Sequence, residues 1–240
     1  MSRLGDRAVI FGARGAIGGA LVDALRRRGV GEVHALSRQP VAAAPGIYPA
    51  QVDLLDEASL SFHAARLGAD GVLDTIIVAT GLLHAPDMLP EKALRDLRDD
   101  ALAMSFAVNC IGPSLVMKHF LGLLPRDRAS RFAALSARIG SISDNQKGGW
   151  YGYRAAKAGL NMMLRSAAIE TARRAPHAVI IGLHPGTVDS ALSRPFQKLV
   201  PPGQLCKPAD AAEQLLDVLE AATPAQSGKL FAYDGTEILP

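Results

Sequence analysis

The residues best suited to chemistry in this chain are a tyrosine and a lysine four positions apart, in the run Tyr153-Arg154-Ala155-Ala156-Lys157. On a helix that spacing places both side chains on one face, one turn apart. A free phenol ionises near about 10, too high for efficient acid–base work at neutral pH. A neighbouring ammonium can lower that value by about 1–3 units. Tyr153 could then give a proton to a developing alkoxide or remove one from an alcohol, while Lys157 holds ribose hydroxyls. Such a pair is common on helix surfaces, so its meaning depends on what else the chain carries.

A second constellation lies near the start, where Gly12-Ala13-Arg14-Gly15-Ala16-Ile17-Gly18 separates an apolar run, Arg7–Gly12, from a helical pattern, Ala16–Arg28. Strand, glycine turn and helix in that order form the setting of a dinucleotide site. Gly12 permits the tight turn, Gly15 lets backbone approach a pyrophosphate, and Gly18 lets the helix pack on the sheet. The helix start, including Ile17, offers N–H groups and positive potential to phosphates. The next strand ends in Ser37-Arg38 rather than in the Asp or Glu that would bind a ribose 2′-hydroxyl. Arg38, helped by Arg14, can clamp a 2′-phosphate, which favours NADP(H), with NAD(H) the alternative. Two surface arginines are the plainer account of the same residues. Asp53 ends the third strand, where it either accepts from an adenine amino group beside Leu54 or caps the following helix.

These residues must be positioned by elements, and short apolar runs alternate with helical patterns throughout. Strands are predicted at Arg7–Gly12, Glu32–Ser37, Tyr48–Asp53, Thr75–Ala79, Arg131–Ser136, His177–His184 and Lys229–Tyr233. Helices are predicted at Ala16–Arg28, Asp56–Arg66, Glu91 to about Leu123 with a break, Trp150–Arg174 and Pro208–Ala222. The alternation implies βαβ crossovers and one parallel, doubly wound α/β sheet covered on both faces. The strands are apolar almost throughout, as burial on both faces requires. Residues 185–208 form the longest irregular connection and leave the carboxyl end of a strand, so a lid over the site is expected there.

Composition narrows the field. At 240 residues and 49% hydrophobic, the chain can build one sizeable core, and no break divides it. The net charge of +3 is small, and the clusters Arg26–Arg28 and Arg173–Arg174 fall at predicted helix ends, which argues against nucleic-acid binding. Two distant cysteines and six unclustered histidines suggest neither a disulfide framework nor a metal. There is no signal-peptide pattern and no apolar run of roughly 20 residues, so a cytoplasmic protein without a membrane span is expected.

In chain order, the glycine loop, Asp53, Phe106-Ala107-Val108-Asn109-Cys110-Ile111-Gly112, Tyr153-x-x-x-Lys157 and Pro185-Gly186-Thr187-Val188 together resemble the classical short-chain dehydrogenase/reductase family over essentially the whole chain. The run from Gly148 to Asn161 is similar to its branch of C-factor-like and sniffer-like carbonyl reductases. The resemblance implies a Rossmann-type sheet of about seven strands and a catalytic set of Asn, Ser, Tyr and Lys, carried over onto Asn109, Tyr153 and Lys157. It also implies a helix irregularity at Asn109, cofactor contacts from Gly81, Pro185, Gly186 and Val188, and a homodimer or homotetramer built on the long helices. Three departures stand out. Ala16 occupies the place of the usual middle glycine. Val78-Ala79-Thr80-Gly81 replaces Asn-Asn-Ala-Gly. Ala137 sits where the family has its catalytic serine. Ser141 is the preferred substitute, 12 residues before Tyr153, and Ser136, 17 before it, is the reserve. The expected activity is hydride transfer between NADP(H) and a carbonyl or secondary alcohol. An apolar substrate is expected against Leu82, Leu83, Trp150, Phe196, Leu199 and Val200. A cofactor-binding regulatory protein with little turnover is the rival that Ala137 favours.

Overall fold

A computed structural model describes residues 4–240 of the chain, apart from the side chain of Leu199. Its strands are β1 (Arg7–Phe11), β2 (Glu32–Ser37), β3 (Ile47–Gln51), β4 (Thr75–Val78), β5 (Ser130–Leu135), β6 (Ala178–His184), β7 (Thr187–Val188), β8 (Leu205–Cys206), β9 (Leu230–Ala232) and β10 (Glu237–Ile238). The helices are α1 (Ala16–Arg27), α2 (Glu57–Ala69), α3 (Asp99–Phe106), α4 (Gly112–Phe120), α5 (Tyr151–Ala172) and α6 (Pro208–Ala221). One sheet runs in the order β10-β9-β6-β5-β4-β1-β2-β3, parallel except for β10. The expected sheet thus has eight strands rather than about seven. The extra one, only two residues long, returns antiparallel on β9 through a turn in which Gly235 N–H donates to Ala232 O. Two residues are too few to show a period in sequence.

Strand side chains alternate between two cores. Val9, Phe11, Phe132 and Ala134 pack with Leu60, Val116, Phe120, Leu160 and Leu164 of α2, α4 and α5. Ala8, Ile10, Ala133 and Leu135 pack with Leu21, Leu25, Leu215 and Leu216 of α1 and α6. Fully buring both faces explains the unbroken apolar strands. Arg27 and Arg28 do not simply oppose the helix dipole: they pair with Glu213, and Arg28 also reaches Asp217 and Glu220, tying α1 to α6.

The long helix expected from Glu91 begins only at Asp99. Glu91 is buried, and its carboxylate accepts from Gly152 N at 3.2 Å; Asp96 accepts from Lys92 N and Ala93 N. Backbone groups committed to those side chains are not free to propagate a helix. Between α3 and α4 the chain makes a π turn, Ala107–Ile111, the irregularity expected at Asn109. The stretch Asp99–Leu123 is long and apolar enough to cross a membrane by composition alone. Here it is a core element, with Val116 and Phe120 fully buried under the sheet. Asp56, not Asp53, caps α2, accepting from Ala58 N and Ser59 N. Among the described residues no cluster of metal-ligating side chains occurs, and Cys110 and Cys206 are free.

Candidate active site

The sheet order reverses direction between β1 and β4, and crevices outside the carboxyl ends of strands at such a switch point are where doubly wound sheets bind ligands. The glycine loop lies there. Gly12 adopts φ +84°, and its N–H donates to Leu36 O at 2.8 Å, locking the turn to β2. A Cβ on Gly18 would stand 2.1 Å from Gly12 O, so only glycine lets α1 sit this close. No side chain caps α1 and its first turn carries no acid, leaving free N–H groups for an anion. Arg14 and Arg38 are exposed and make no ion pair among the described residues, so both cations are available. Ser37 is buried and its hydroxyl donates to Gln39 O at 2.7 Å. Asp53 Oδ1 accepts from Leu55 N at 3.0 Å, and Leu54 is buried in the core against Gly112. A cradle that a Cβ would fill, an open helix start and two unpaired arginines suit a phosphorylated dinucleotide.

Sequence reasoning missed Thr80. Its Oγ1 is buried with no partner, and its Cγ2 would lie 3.0 Å from a Cβ on Gly12. A lone hydroxyl after β4 carries no sequence signal beyond its position.

Tyr153 and Lys157 face each other on α5. Lys157 is buried; its Nζ lies 5.7 Å from the Tyr153 ring centroid and donates to Leu135 O at 2.7 Å. The expected lowering of the phenol is not found. Desolvation pushes Tyr153 up to about 12 and Lys157 down to about 7. Each group is held toward its neutral form because burial penalises charge. A phenol so placed keeps its proton at neutral pH and is a donor.

Asn109 is completely buried on the π turn. Its Oδ1 accepts from Leu82 N at 3.0 Å and its Nδ2 donates to Leu82 O at 2.7 Å, which clamps the segment after Gly81. Ser136, at the end of β5, donates to Asn161 Oδ1 on α5 at 2.6 Å. Ser141 is not brought to the same place. It is buried beyond Gly140, and its hydroxyl accepts from Asp144 N at 3.1 Å, holding a turn. Its Oγ also lies 3.3 Å from Ser143 Oγ, and the cleft beside Tyr153 is lined by Ser136 and not by Ser141.

A cleft of about 570 Å³ gathers the rest. Ile17 of α1, Ser136, Ala137, Tyr153 and Pro185–Val188 line it, with Leu83, Trp150, Phe196 and Val200 as apolar walls. Leu82 is not in that lining, and the side chain of Leu199 lies outside the described residues. Trp150 packs on Phe196 with ring centroids 5.0 Å apart. Trp150 is the only described non-glycine residue with positive φ, at 52°, immediately before α5. Backbone strain of this kind costs about 1–3 kcal/mol and persists where surroundings enforce it. Here Glu91 O accepts from Trp150 N and the Glu91 carboxylate from Gly152 N. Glu91 is thus a positioning residue that sequence reasoning read only as a helix start. The 185–208 connection is pinned at both ends where β7 pairs with β8, Thr187 opposite Leu205 and Val188 opposite Cys206.

A parallel doubly wound sheet with a glycine turn at its switch point and a tyrosine–lysine pair beside it defines a dinucleotide-fold oxidoreductase. Residues 6–199 match the model of the short chain dehydrogenase family, and the chain belongs to that family. The C-signal protein of Myxococcus xanthus is 35% identical over 146 residues, 61% of this chain and 82% of that protein. The 1-hydroxy-2-glutathionyl-2-methyl-3-butene dehydrogenase of Rhodococcus sp. is 28% identical over 188 residues, 77% of this chain and 76% of that protein. In structure, the NADPH-bound carbonyl reductase from chicken fatty liver superposes with a TM-score of 0.85 at 20% identity, covering 98% of this chain and 99% of that one.

Proposed function

We propose that this protein is an NADP(H)-dependent carbonyl reductase in which Tyr153 is the proton donor. The observation that carries the reading is the cleft itself, which joins Ile17 at the glycine-turn helix to Tyr153 and the Pro185–Val188 segment. The glycine loop and α1 would hold the pyrophosphate, Arg14 and Arg38 the 2′-phosphate, and Lys157 the nicotinamide ribose. Bound NADPH would supply the hydride. Tyr153 would give its phenol proton to the carbonyl oxygen, which becomes the hydroxyl of the product. A phenol held up to about 12 keeps at neutral pH the proton that this step would give. Asn109 positions the segment after Gly81, and Ser136 is the nearer candidate for a hydroxyl in the cleft. Residues 185–208 act as the lid. The two free cysteines are consistent with a reducing cytoplasm.

The test is a screen of aldehydes and ketones with both nicotinamide cofactors, alongside fluorescence titration of each. NADPH should bind more tightly than NADH, and Arg38→Asp should reverse that order by replacing attraction with repulsion. Tyr153→Phe should keep NADPH binding and lose turnover by about 10²-fold or more. Tight NADPH binding with no turnover of any carbonyl would instead support a regulatory role.

A further inference from the structure

Gly148, Gly149 and Trp150 are three consecutive residues with positive φ, at 63°, 63° and 52°. Glycine adopts that conformation freely, whereas a residue with a Cβ is strained in it. At the first two positions the chain uses glycine; at the third it carries its only tryptophan. Strained residues persist where the surroundings over-determine them, and they cluster at ligand clamps and switch regions. Glu91 O holds the Trp150 backbone, but that bond uses an amide N–H that glycine would supply equally. What glycine lacks is the indole, so the reason for tryptophan lies in what the indole touches.

The indole packs on Phe196, with ring centroids 5.0 Å apart and planes at 56°. Phe196 lies on a 3-10 turn, Arg194–Leu199, within the 185–208 connection. Its ring also meets His84, at 5.9 Å and 67°, and His84 Nε2 donates to Ala191 O at 3.2 Å. His84 is two residues beyond Leu82, whose backbone Asn109 clamps. Phe196 thus sits between two aromatic rings, each on a segment fixed by a buried polar side chain, Glu91 or Asn109. The lid is otherwise tied to itself. Gln197 Nε2 donates to Asp189 Oδ1 and to Ser193 Oγ, both at 2.9 Å, and Ser193 Oγ donates to Val188 O. Among the described residues, the bond from His84 is the only hydrogen bond between residues 190–204 and any residue outside 187–206. The lid is therefore a knitted unit on the β7–β8 hinge, held down by one hydrogen bond and its ring contacts.

We infer that Trp150 is a positioning residue, the dock onto which residues 189–204 close through Phe196. The indole belongs to the turn that Glu91 fixes, and Tyr153 stands three residues further on, in the first turn of α5. One rigid turn thereby registers the lid and the proton donor against each other. Closing the lid sets the apolar wall of the cleft opposite the phenol and shuts out water; opening it requires Phe196 to leave the indole, which lets substrate and product pass. The catalytic consequence rests on the carbonyl-reductase reading, whereas the docking does not, and the experiment separates the two.

Trypsin can report the state of the lid. Within residues 189–207, Arg194 and Lys207 precede Pro195 and Pro208 and are spared, so the exposed Lys198 is the one point of cleavage. Cleavage of a native protein follows the population of its open form when opening and closing are fast. The cut after Lys198 is followed by mass spectrometry in the unmodified protein, Phe196→Ala, Phe196→Tyr and Trp150→Gly, without cofactor, and KM and kcat are measured with NADPH and 4-nitrobenzaldehyde. Phe196→Ala and Trp150→Gly should each be cut about threefold to tenfold faster, the worth of one aromatic pair. Phe196→Tyr, which keeps the ring, should be cut at nearly the unmodified rate. Emission from Trp150 should shift to the red in Phe196→Ala as the indole meets water. Phe196→Ala and Trp150→Gly should raise KM by more than they lower kcat. A cut that stays at the unmodified rate in either of these two variants, or a faster cut with KM unmoved, would overturn the inference. A faster cut in both variants of a protein that turns over no carbonyl would uphold the dock and sink the reductase reading instead.

Discussion

At the scale of single residues, the proton inventory of the site follows from burial more than from pairing. Lys157 lies 5.7 Å from the Tyr153 ring, and its Nζ donates to Leu135 O, yet its own desolvation holds it toward its neutral form. This has a measurable consequence. In the unfolded chain the amine should titrate at its ordinary 10.5, and in the folded protein at about 7. Between those values the unfolded state binds the extra proton, so this group makes folding more favourable as pH rises from about 7 toward 10.5. The contribution is lost as pH falls through the folded value. Urea unfolding of the unmodified protein and Lys157→Met at several pH values reads it directly. The stability difference between the two should shift in favour of the unmodified protein with rising pH. A difference independent of pH from 7 to 10 would show that Lys157 is not held toward its neutral form.

At the scale of elements, α5 carries Tyr153 and Lys157, and its start is built from outside. No side chain within the helix caps it; the cap comes from Glu91, sixty-one positions earlier, through Gly152 N. Losing an N-terminal cap typically costs about 0.5–2 kcal/mol, and here the loosened turn contains the proton donor. Glu91→Ala should therefore lower the melting temperature and reduce kcat more than it weakens NADPH binding. Glu91→Gln, which retains an acceptor, should restore most of both. Equal kcat in Glu91→Ala and the unmodified protein would mean that packing alone holds Tyr153 in place. The glycine turn is the complementary case, where absence of a side chain is what positions the element: Gly18 is required by its approach to Gly12 O, whereas a Cβ on Gly122 would meet nothing.

At the scale of the whole molecule, α3, the π turn and α5 leave apolar side chains on the surface. Met104, Ile111, Met163 and Ile169 are all exposed. We propose that this side of the molecule associates into a homodimer or homotetramer. Light scattering coupled to gel filtration should give a mass at or above twice 25.2 kDa. Ile111→Glu should shift that mass toward the monomer without lowering thermal stability, because Ile111 supports no core. A monomer at every concentration in the unmodified protein would rule the surface out.

Much of this was legible in the chain because it depends on local periodicity and local conformational need. Apolar runs buried on both faces predict a parallel sheet. Glycines between strand and helix predict a tight turn, and a four-residue spacing puts Tyr153 and Lys157 one turn apart wherever the helix packs. Boundaries shifted by a residue or a few, as at β3 and α2, since ends depend on which side chain captures the terminal N–H groups. Asp53 and Asp56 are three positions apart, and only the folded turn decided that Asp56 caps. The remaining decisions were made by contacts between residues far apart in sequence. The capture of Glu91 by α5 and the bond from Ser136 to Asn161 are of this kind. So are the directions in which Tyr153 and Lys157 are shifted. Residue type and spacing set what chemistry is available; desolvation and the lining of a cleft are properties of the packed surroundings, which no local pattern encodes.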